Sequence, residues 1–498
     1  MEPSRPNSAS LGLLTDLYEL TMAYGYWKHG MAERRAVFHV TFRTLPFRGG
    51  YAVAAGLGGV IEYLEALRFT EGDLDYLAAL TGNDGRPLFD GGFIDYLRKL
   101  ELACDIDALP EGTLAFPHEP LVRVRGPIGQ AQIIETALLN FVNFQTLIAT
   151  KAARTCLAAA GDPVIEFGLR RAQGIDGGLA ASRAAYIGGC DSTSNVLAGR
   201  RYGIPVKGTH AHSWVMAFGD EVAAFQAYAE AMPNNCILLV DTYDTLEGVR
   251  EAVRIGRWLR EHGHELAGIR LDSGDLAYLS VAARRILDDS GFPQAVIVAS
   301  NDLDENVIAS LKQQGAKIAV WGVGTKLVTA YDQPALGGVY KLTAIRRADD
   351  QGWEYRLKLS EQPAKLSIPG MLNVRRYREG DRFIGDMIFD ELAAPDPAAP
   401  RVIVDPGNEL RRKTFAAGAD AEDLLVPIFR AGRRVYDAPP LVESRAHATQ
   451  QLAALHAGTK RLLNPHEYPA GLALGLHERR LELARNARSP ARGSRDPA

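Results

Sequence analysis

Residues 164–174 read VIEFGLRRAQG, residues 177–199 read GGLAASRAAYIGGCDSTSNVLAG, and residues 204–214 read IPVKGTHAHSW. Two β-branched runs here each stop at glycine and polar residues. Phe167, Gly168, Arg170 and Arg171 follow the first, and Lys207, Gly208, Thr209, His210, His212 and Ser213 follow the second. The pattern is strand, polar turn, helix, twice in succession. In alternating β/α chains, strand ends of this kind carry ligands, because the loops vary there on a rigid scaffold.

The same rhythm continues to about residue 345. Apolar runs PVIEF, IPVKG, CILLVD, LAGIRLD, AVIVAS and KIAVWG recur between amphipathic segments such as TLEGVREAVRIGRWLREHG, and GGVYKL is a candidate seventh. Such alternation predicts a mainly parallel sheet, either open and doubly wound or closed into a barrel. The polar clusters FGLRR, GTHAHS, DTYDT, RLDSGD, SNDLDE and GVGTK follow every strand. An open sheet concentrates its ligand contacts at one switch point, so six enriched loops favour one ring. The expectation is an α/β chain with a (β/α) barrel over residues 133–345.

The flanks read differently. Residues 1–12 are polar and read as a mobile N-terminus. Residues 13–132 read as an N-terminal α+β domain, opening with a helix from Thr15 that is apolar nearly all round and therefore buried or docked on a partner. Thr15 and Asp16 suit its N-terminus. AVFHVTFRTLP alternates like a half-buried strand. The glycines at 56, 58 and 59 lack the full GxGxxG spacing of a dinucleotide loop. Beyond the barrel, residues 346–440 read as a β-rich segment packing with the N-terminal domain, 441–486 as C-terminal helices, and 487–498 as a disordered tail.

Composition narrows the function classes. The 498 residues, 47% of them hydrophobic, suffice for two or three domains, and a net charge of −4 gives no general reason to bind nucleic acid or an anionic membrane. No apolar run approaches ~18 residues and no secretion signal opens the chain, which places it in the cytoplasm. The four cysteines are too widely spaced to read as a metal or redox motif, which suits that reducing compartment.

Pooled on one ring, the strand ends offer Arg170, Arg171, Lys207, Arg270 and Lys326 as cations. Asp191, Asp241, Asp244, Asp272 and Asp275 oppose them, together with His210, His212, Ser213, Ser273, Ser300 and Thr325. Gly322 and Gly324, followed by Thr325 and Lys326, would let backbone N–H groups approach a phosphate. Cations and acids in one mouth suggest a polyphosphate held with Mg²⁺, the arginines gripping phosphate or carboxylate. Each element also has a structural reading: the arginine pair as a surface ion-pair face, His212 as a core histidine, DSGD as a helix-capping turn.

The combination is more specific than its parts. FGLRRAQG, CDSTSN, GTHAHS, RLDSGD and GVGTK, with TDLYELTM near the start, resemble the nicotinate phosphoribosyltransferase family in order and spacing, over roughly residues 12–440, and the chain looks like a bacterial member. The resemblance implies a type II phosphoribosyltransferase fold, an irregular α/β barrel with an N-terminal α/β domain, assembled as a homodimer with its active site at the subunit interface. It implies the conversion of nicotinate and phosphoribosyl pyrophosphate to nicotinate mononucleotide and pyrophosphate in NAD salvage, assisted by ATP hydrolysis and Mg²⁺.

By the same resemblance His212 is a phosphohistidine, in a segment whose threonine is Thr209 and which includes Ser213. Phe167 and Tyr18, the latter from the neighbouring subunit, would stack on the two faces of the pyridine. Arg270 and Arg170 would hold the nicotinate carboxylate or a nearby phosphate, Asp272 and Asp191 would lie near the reacting groups, and Gly322, Gly324 and Thr325 would cradle the ribose 5-phosphate. Two residues depart from the family pattern: His210 stands where an apolar residue is expected, and His118 where a small one is.

Three other functions fit parts of the pattern. Nicotinamide or quinolinate could replace nicotinate on the same fold. A barrel lyase or aldolase would use Lys207 or Lys326 as a Schiff-base nucleophile. A silent sensor of NAD precursors would bind nicotinate without releasing pyrophosphate.

Overall fold

The computed structural model describes residues 11–347, 352–359, 366–394, 396 and 399–488. The expected mobile start (to residue 10) and most of the expected tail (from 489) lie outside the described residues. The chain forms two compact units. One comprises Gln145–Ala335 with Pro440–Thr449; the other comprises the chain up to Phe144, Leu336–Pro439 and the chain from Gln450. The division falls inside the helix Glu135–Ala159, which ends on Gly161 at φ 98°.

The first of these units carries a parallel six-stranded sheet: β1 (Val164–Glu166), β2 (Ser192–Thr193), β3 (Ile237–Leu239), β4 (Gly268–Leu271), β5 (Val296–Ala299) and β6 (Val320–Val323). The ladder runs β2-β1-β6-β5-β4-β3. Val206 adds one parallel bridge to Thr193 beyond β2. Chain neighbours are therefore sheet neighbours all the way round, and the first strand pairs with the last. That is a barrel order, interrupted among the described residues only between Val206 and β3. The strands are short, rich in Val, Ile and Leu, and largely buried, as strands covered on both faces must be.

Two details differ from the sequence-based expectation. IPVKG contributes a single bridge, whereas Ser192–Thr193, too short for a periodic signal, is a ladder strand. GGVYKL belongs to the other unit, where Val339–Arg346 pairs antiparallel with Arg35–Thr41. The barrel unit begins at Gln145 and ends at Ala335, inside the expected 133–345, and adds ten residues near 440. The C-terminal region is not all helical: the strand Ala470–Ala473 separates the helices Leu441–Ala454 and Leu474–Arg488.

The other unit is built on two sheets. Its seven-stranded antiparallel sheet combines strands near both ends of the chain, including Arg35–Thr41, Asp105–Ala108, Val122–Pro127, Val339–Arg346 and Val426–Arg430. Arg35–Thr41 is buried on both faces rather than one. His39 survives there because its Nε2 accepts the Leu372 N–H at 3.1 Å and its Nδ1 meets the Thr343 hydroxyl at 3.1 Å. The six-stranded sheet runs from Asn408–Phe415 to Ala421–Asp423 through Arg401–Asp405, Ala470–Ala473, Arg382–Asp390 and Leu372–Glu379.

A buried charge cluster ties this unit together. Arg376 donates to Asp386 at 2.6 and 3.0 Å, to Gln451 Oε1 at 2.7 Å and to the Leu114 carbonyl at 2.8 Å, with Arg376 and Asp386 both fully buried. Tyr468 donates to Asp386 at 2.8 Å. Glu119 is fully buried beside them: its Oε2 accepts the Phe116 N–H at 2.8 Å and its Oε1 has no donor. Burial, then repulsion from Asp386, raises the Glu119 carboxyl well above its ordinary value despite Arg376. Its protonated form, able to donate to Asp386, is thereby favoured.

Because the folded carboxyl titrates above the ordinary 4.5, its contribution to stability is complete below that pH and is lost as pH rises toward the folded value. Glu119→Gln keeps both hydrogen-bonding roles without the ionisation. Its melting temperature should exceed that of the parent protein at pH 8, with the gap closing at pH 5; a gap independent of pH would contradict a protonated Glu119.

Candidate active site

Arg270, in β4, organises the carboxyl ends of the barrel strands. Its Nε donates to Ser300 Oγ at 2.8 Å, Nη1 to Thr209 Oγ1 at 3.1 Å and Nη2 to Asp272 Oδ1 at 2.7 Å. Its guanidinium lies 5.6 Å from the ring centre of Phe167. Ser300 also donates to Asp272. The second oxygen of Asp272 lies 3.6 Å from His212 Nε2, and His212 Nδ1 meets the Thr242 hydroxyl at 3.1 Å. Burial pushes the Asp272 carboxyl up, but the Ser300 hydroxyl, Arg270 and His212 outweigh it and hold it below the usual carboxylate range. Five loops thus converge on one aromatic ring, one cation, one carboxylate and one imidazole.

The Phe167 loop is set from beneath by Glu166, which is fully buried. Glu166 accepts hydrogen bonds from Gly168 N–H, from Ser182 Oγ at 2.8 Å and from Thr193 Oγ1 at 2.6 Å. Gly322 lies in β6 and pairs with Ile165. A Cβ on Gly322 would lie 2.7 Å from two carbons of the Phe167 ring, so this glycine makes room for the aromatic face. Gly324 lies beside the Phe167 carbonyl and opens the short turn that starts at Thr325.

A second group of carboxylates borders the network. Asp241 Oδ2 accepts the Asp272 N–H and the Ser273 hydroxyl, both at 2.7 Å, while its buried Oδ1 has no hydrogen-bond partner. Glu221, also with a buried unpartnered oxygen, is pushed up to about 7 by burial, then by Glu251, Asp241 and Asp244. Hard oxygen donors with an unmet demand for positive charge suit Mg²⁺. Among the described residues no three His, Cys, Asp or Glu side chains form a ready-made metal cage.

The structure brings together Phe167, Thr209, His212, Arg270 and Asp272, with Gly322 and Gly324 behind the ring. Ser213 is exposed beside His212. Arg170 and Arg171 are exposed and without an ion pair among the described residues. Tyr18 belongs to the other unit, on the helix Leu17–Lys28, whose Leu17, Tyr18 and Met22 are 52%, 48% and 38% exposed.

Asp191 is not with the others. It precedes β2, at the opposite strand ends: its Oδ2 accepts the Val164 N–H at 2.9 Å and its Oδ1 accepts from Arg445 at 2.8 Å. The CDSTSN segment crosses the whole two-residue strand, so its first and last residues face opposite ends of the barrel. Thr242 and Glu166 escaped sequence reading, the first as one threonine in a polar turn and the second as an acid inside an apolar run. Asp244, Asp275 and Asp304 cap the helices that follow them, and Lys326 is held by Asp304 at 2.9 Å.

Asp191→Asn should weaken the Arg445 contact and lower stability to urea by about 1 kcal/mol, while a crystal structure of the variant keeps Arg270, Asp272 and His212 in place. Displacement of those three would show that Asp191 supports the site after all.

Family models described as the nicotinate phosphoribosyltransferase N-terminal domain, family and C-terminal domain match residues 13–143, 164–351 and 373–480. The chain is 45% identical to a nicotinate phosphoribosyltransferase of Bacillus subtilis, over 93% of each chain. It is 37% identical to the human nicotinate phosphoribosyltransferase, over 94% of this chain and 95% of that one. The crystal structure of human nicotinic acid phosphoribosyltransferase superposes with a TM-score of 0.82 at 34% identity, covering 94% of this chain and 99% of that one. A nicotinate-nucleotide pyrophosphorylase from Pyrococcus furiosus shares the fold, with a TM-score of 0.67 at 23% identity over 91% and 98% of the chains. The chain therefore belongs to the nicotinate phosphoribosyltransferase family.

Proposed function

We propose that this chain joins nicotinate to phosphoribosyl pyrophosphate, coupled to ATP hydrolysis through a phosphohistidine at His212. The observation that carries the substrate is Arg270 beside Phe167. A pyridine ring stacked on Phe167 presents its carboxylate to a planar cation that has used three of five N–H donors, leaving two for a bidentate grip. The ring nitrogen then attacks C1 of the ribose as the C1–O bond to pyrophosphate breaks, and the electron pair leaves with pyrophosphate. An oxocarbenium-like centre and a highly charged leaving group develop, so alignment and fixed charges supply the rate.

Arg170 and Arg171 are exposed cations for the phosphates, and Gly324 and Thr325 supply backbone for the 5-phosphate. Bound Mg²⁺ would neutralise the pyrophosphate; Asp241, with its unpartnered oxygen, and Asp244 are the residues suited to hold it through water. His212 is tied at Nδ1 to Thr242, which leaves Nε2, beside Asp272, as the atom to accept the phosphoryl group of ATP. The added charge beside Arg270 would preorganise the cationic site.

The exposed Leu17, Tyr18 and Met22 suit burial against a second copy, and Tyr18 is then available to a neighbouring subunit's substrate. The four cysteines are unbridged, and no helix among the described residues is long and apolar enough to cross a membrane. A Schiff-base lyase acting through Lys326 is disfavoured by the Asp304 hydrogen bond and charge, which raise the Lys326 pKa and favour its protonated amine.

Pyrophosphate release from the purified protein, with phosphoribosyl pyrophosphate and Mg²⁺, should require nicotinate and rise with ATP. Release with nicotinamide or quinolinate instead would change the substrate, and release indifferent to ATP would remove the coupling. Arg270→Lys keeps the charge but loses the fork, and kcat/KM for nicotinate should fall on the order of 100-fold; a fall below about threefold would reject the carboxylate grip. His212→Ala should abolish ATP stimulation, and full stimulation in that variant would sink the phosphohistidine.

A further inference from the structure

Between Val206 and β3 the barrel has no ladder among the described residues, so the outer edge of β3 must find hydrogen-bond partners elsewhere. Leu239 is buried, and a buried N–H without an acceptor costs about 1–3 kcal/mol. Its acceptor is a side chain: His210 Nε2, at 3.1 Å. The His210 ring is itself buried, edge-on to Tyr228 at 4.6 Å between centroids and tilted against Phe225 at 6.3 Å. Its Nδ1 lies 3.4 Å from the Ala211 carbonyl. Because Nε2 accepts, the ring hydrogen sits on Nδ1, and the imidazole is neutral.

We infer that His210 is a positioning residue for the reaction: its ring bridges the open seam of the barrel and fixes the Thr209–His212 segment against β3. Both strands joined by this bond lead directly into the site. On one side Thr209 receives Arg270, and His212 follows two residues after His210. On the other side Asp241 and Thr242 follow Leu239, where Asp241 holds the Asp272 N–H and Thr242 holds His212 Nδ1. The imidazole of His212 is therefore placed by a loop that the neighbouring histidine clamps to β3, while Thr242 holds the His212 ring itself. An apolar residue at 210 would fill the same space between Tyr228 and Phe225 and leave the Leu239 N–H without that acceptor.

The charges facing the ring keep it in the required form. Burial dominates, and Arg270 and His212 add to it against the Ala211 carbonyl, lowering the pKa to about 4. Tyr228 faces the ring from its helix and is itself neutral, its pKa raised by burial.

The test compares His210→Phe, which keeps the volume, with His210→Gln, whose amide oxygen can replace Nε2. For His210→Phe, kcat with nicotinate should fall on the order of 10- to 100-fold with KM within about threefold, as expected for misplaced reacting groups rather than lost binding. Amide exchange at Leu239 should lose its protection. His210→Gln should restore both. An unchanged kcat in the Phe variant, or equal losses in both variants, would overturn the assignment, since the acceptor atom would then be irrelevant. Should the Phe variant fail to fold, ¹⁵N spectra of the imidazoles in the unmodified protein decide: a bare Nε2 with hydrogen on Nδ1 at pH 7 supports the bridge, and the reverse tautomer removes it.

Discussion

Asp272 is the residue on which the geometry of the barrel mouth depends. One of its oxygens receives Arg270 and Ser300, and the other faces His212, so a single carboxylate relates strands β4 and β5 to the histidine loop. Its backbone N–H is in turn fixed by Asp241 at the end of β3. Partly burying a charge in this way is costly unless donors meet its lone pairs, as Arg270 and Ser300 do here. The group must stay ionised for the arrangement to hold, and Ser300 and Arg270 keep it so. Electrostatic preorganisation of this kind is what a reaction with a developing sugar cation and a departing pyrophosphate requires.

The second unit solves a different problem with similar chemistry. Its sheets draw strands from residues that are more than 300 apart in sequence, such as Arg35–Thr41 and Val339–Arg346. Arg376 collects the Leu114 carbonyl, Asp386 and Gln451 around its guanidinium, and so fixes segments that no local propensity would bring together. A fully buried arginine with two neighbouring carboxylates is tolerable only if one of them is protonated. Glu119 takes that role. At the barrel mouth the carboxylate that matters must remain charged, and in the sheet unit the one beside the ion pair must not.

The legibility of the sequence follows the same physical lines. Parallel strands covered on both faces are continuous apolar runs, so the βα rhythm and its polar strand ends were readable from Val164 to Gly324. Two-residue strands carry no period, which hid Ser192–Thr193 and turned Asp191 to the wrong end of the barrel. Acidic strand ends were ambiguous for a reason intrinsic to the chemistry: an aspartate after a strand serves a ligand or the N-terminus of the next helix equally well. Asp272 faces Arg270, Ser300 and His212 at the barrel mouth, whereas Asp244, Asp275 and Asp304 each cap a helix, with Asp304 also holding Lys326. Gly322 was read as a phosphate glycine, and its place in β6 under Phe167 gives it a packing role that depends on a ring distant in sequence.

His210, expected from sequence to depart from a family pattern, has a structural reading beside the chemical one. Beside His212 in HAH, it reads as a rival phosphate acceptor. Burial and the Leu239 N–H remove it from that competition, because a nitrogen already accepting a buried hydrogen bond is not free to attack phosphorus. The two histidines are distinguished by what their ring nitrogens meet: backbone for His210, a hydroxyl and a carboxylate at the barrel mouth for His212. A barrel closed by ladder hydrogen bonds alone needs no such ring. One with a gap between Val206 and β3 must bridge it with a side chain, and the loop that ends in His212 is where that side chain has the most effect on the site.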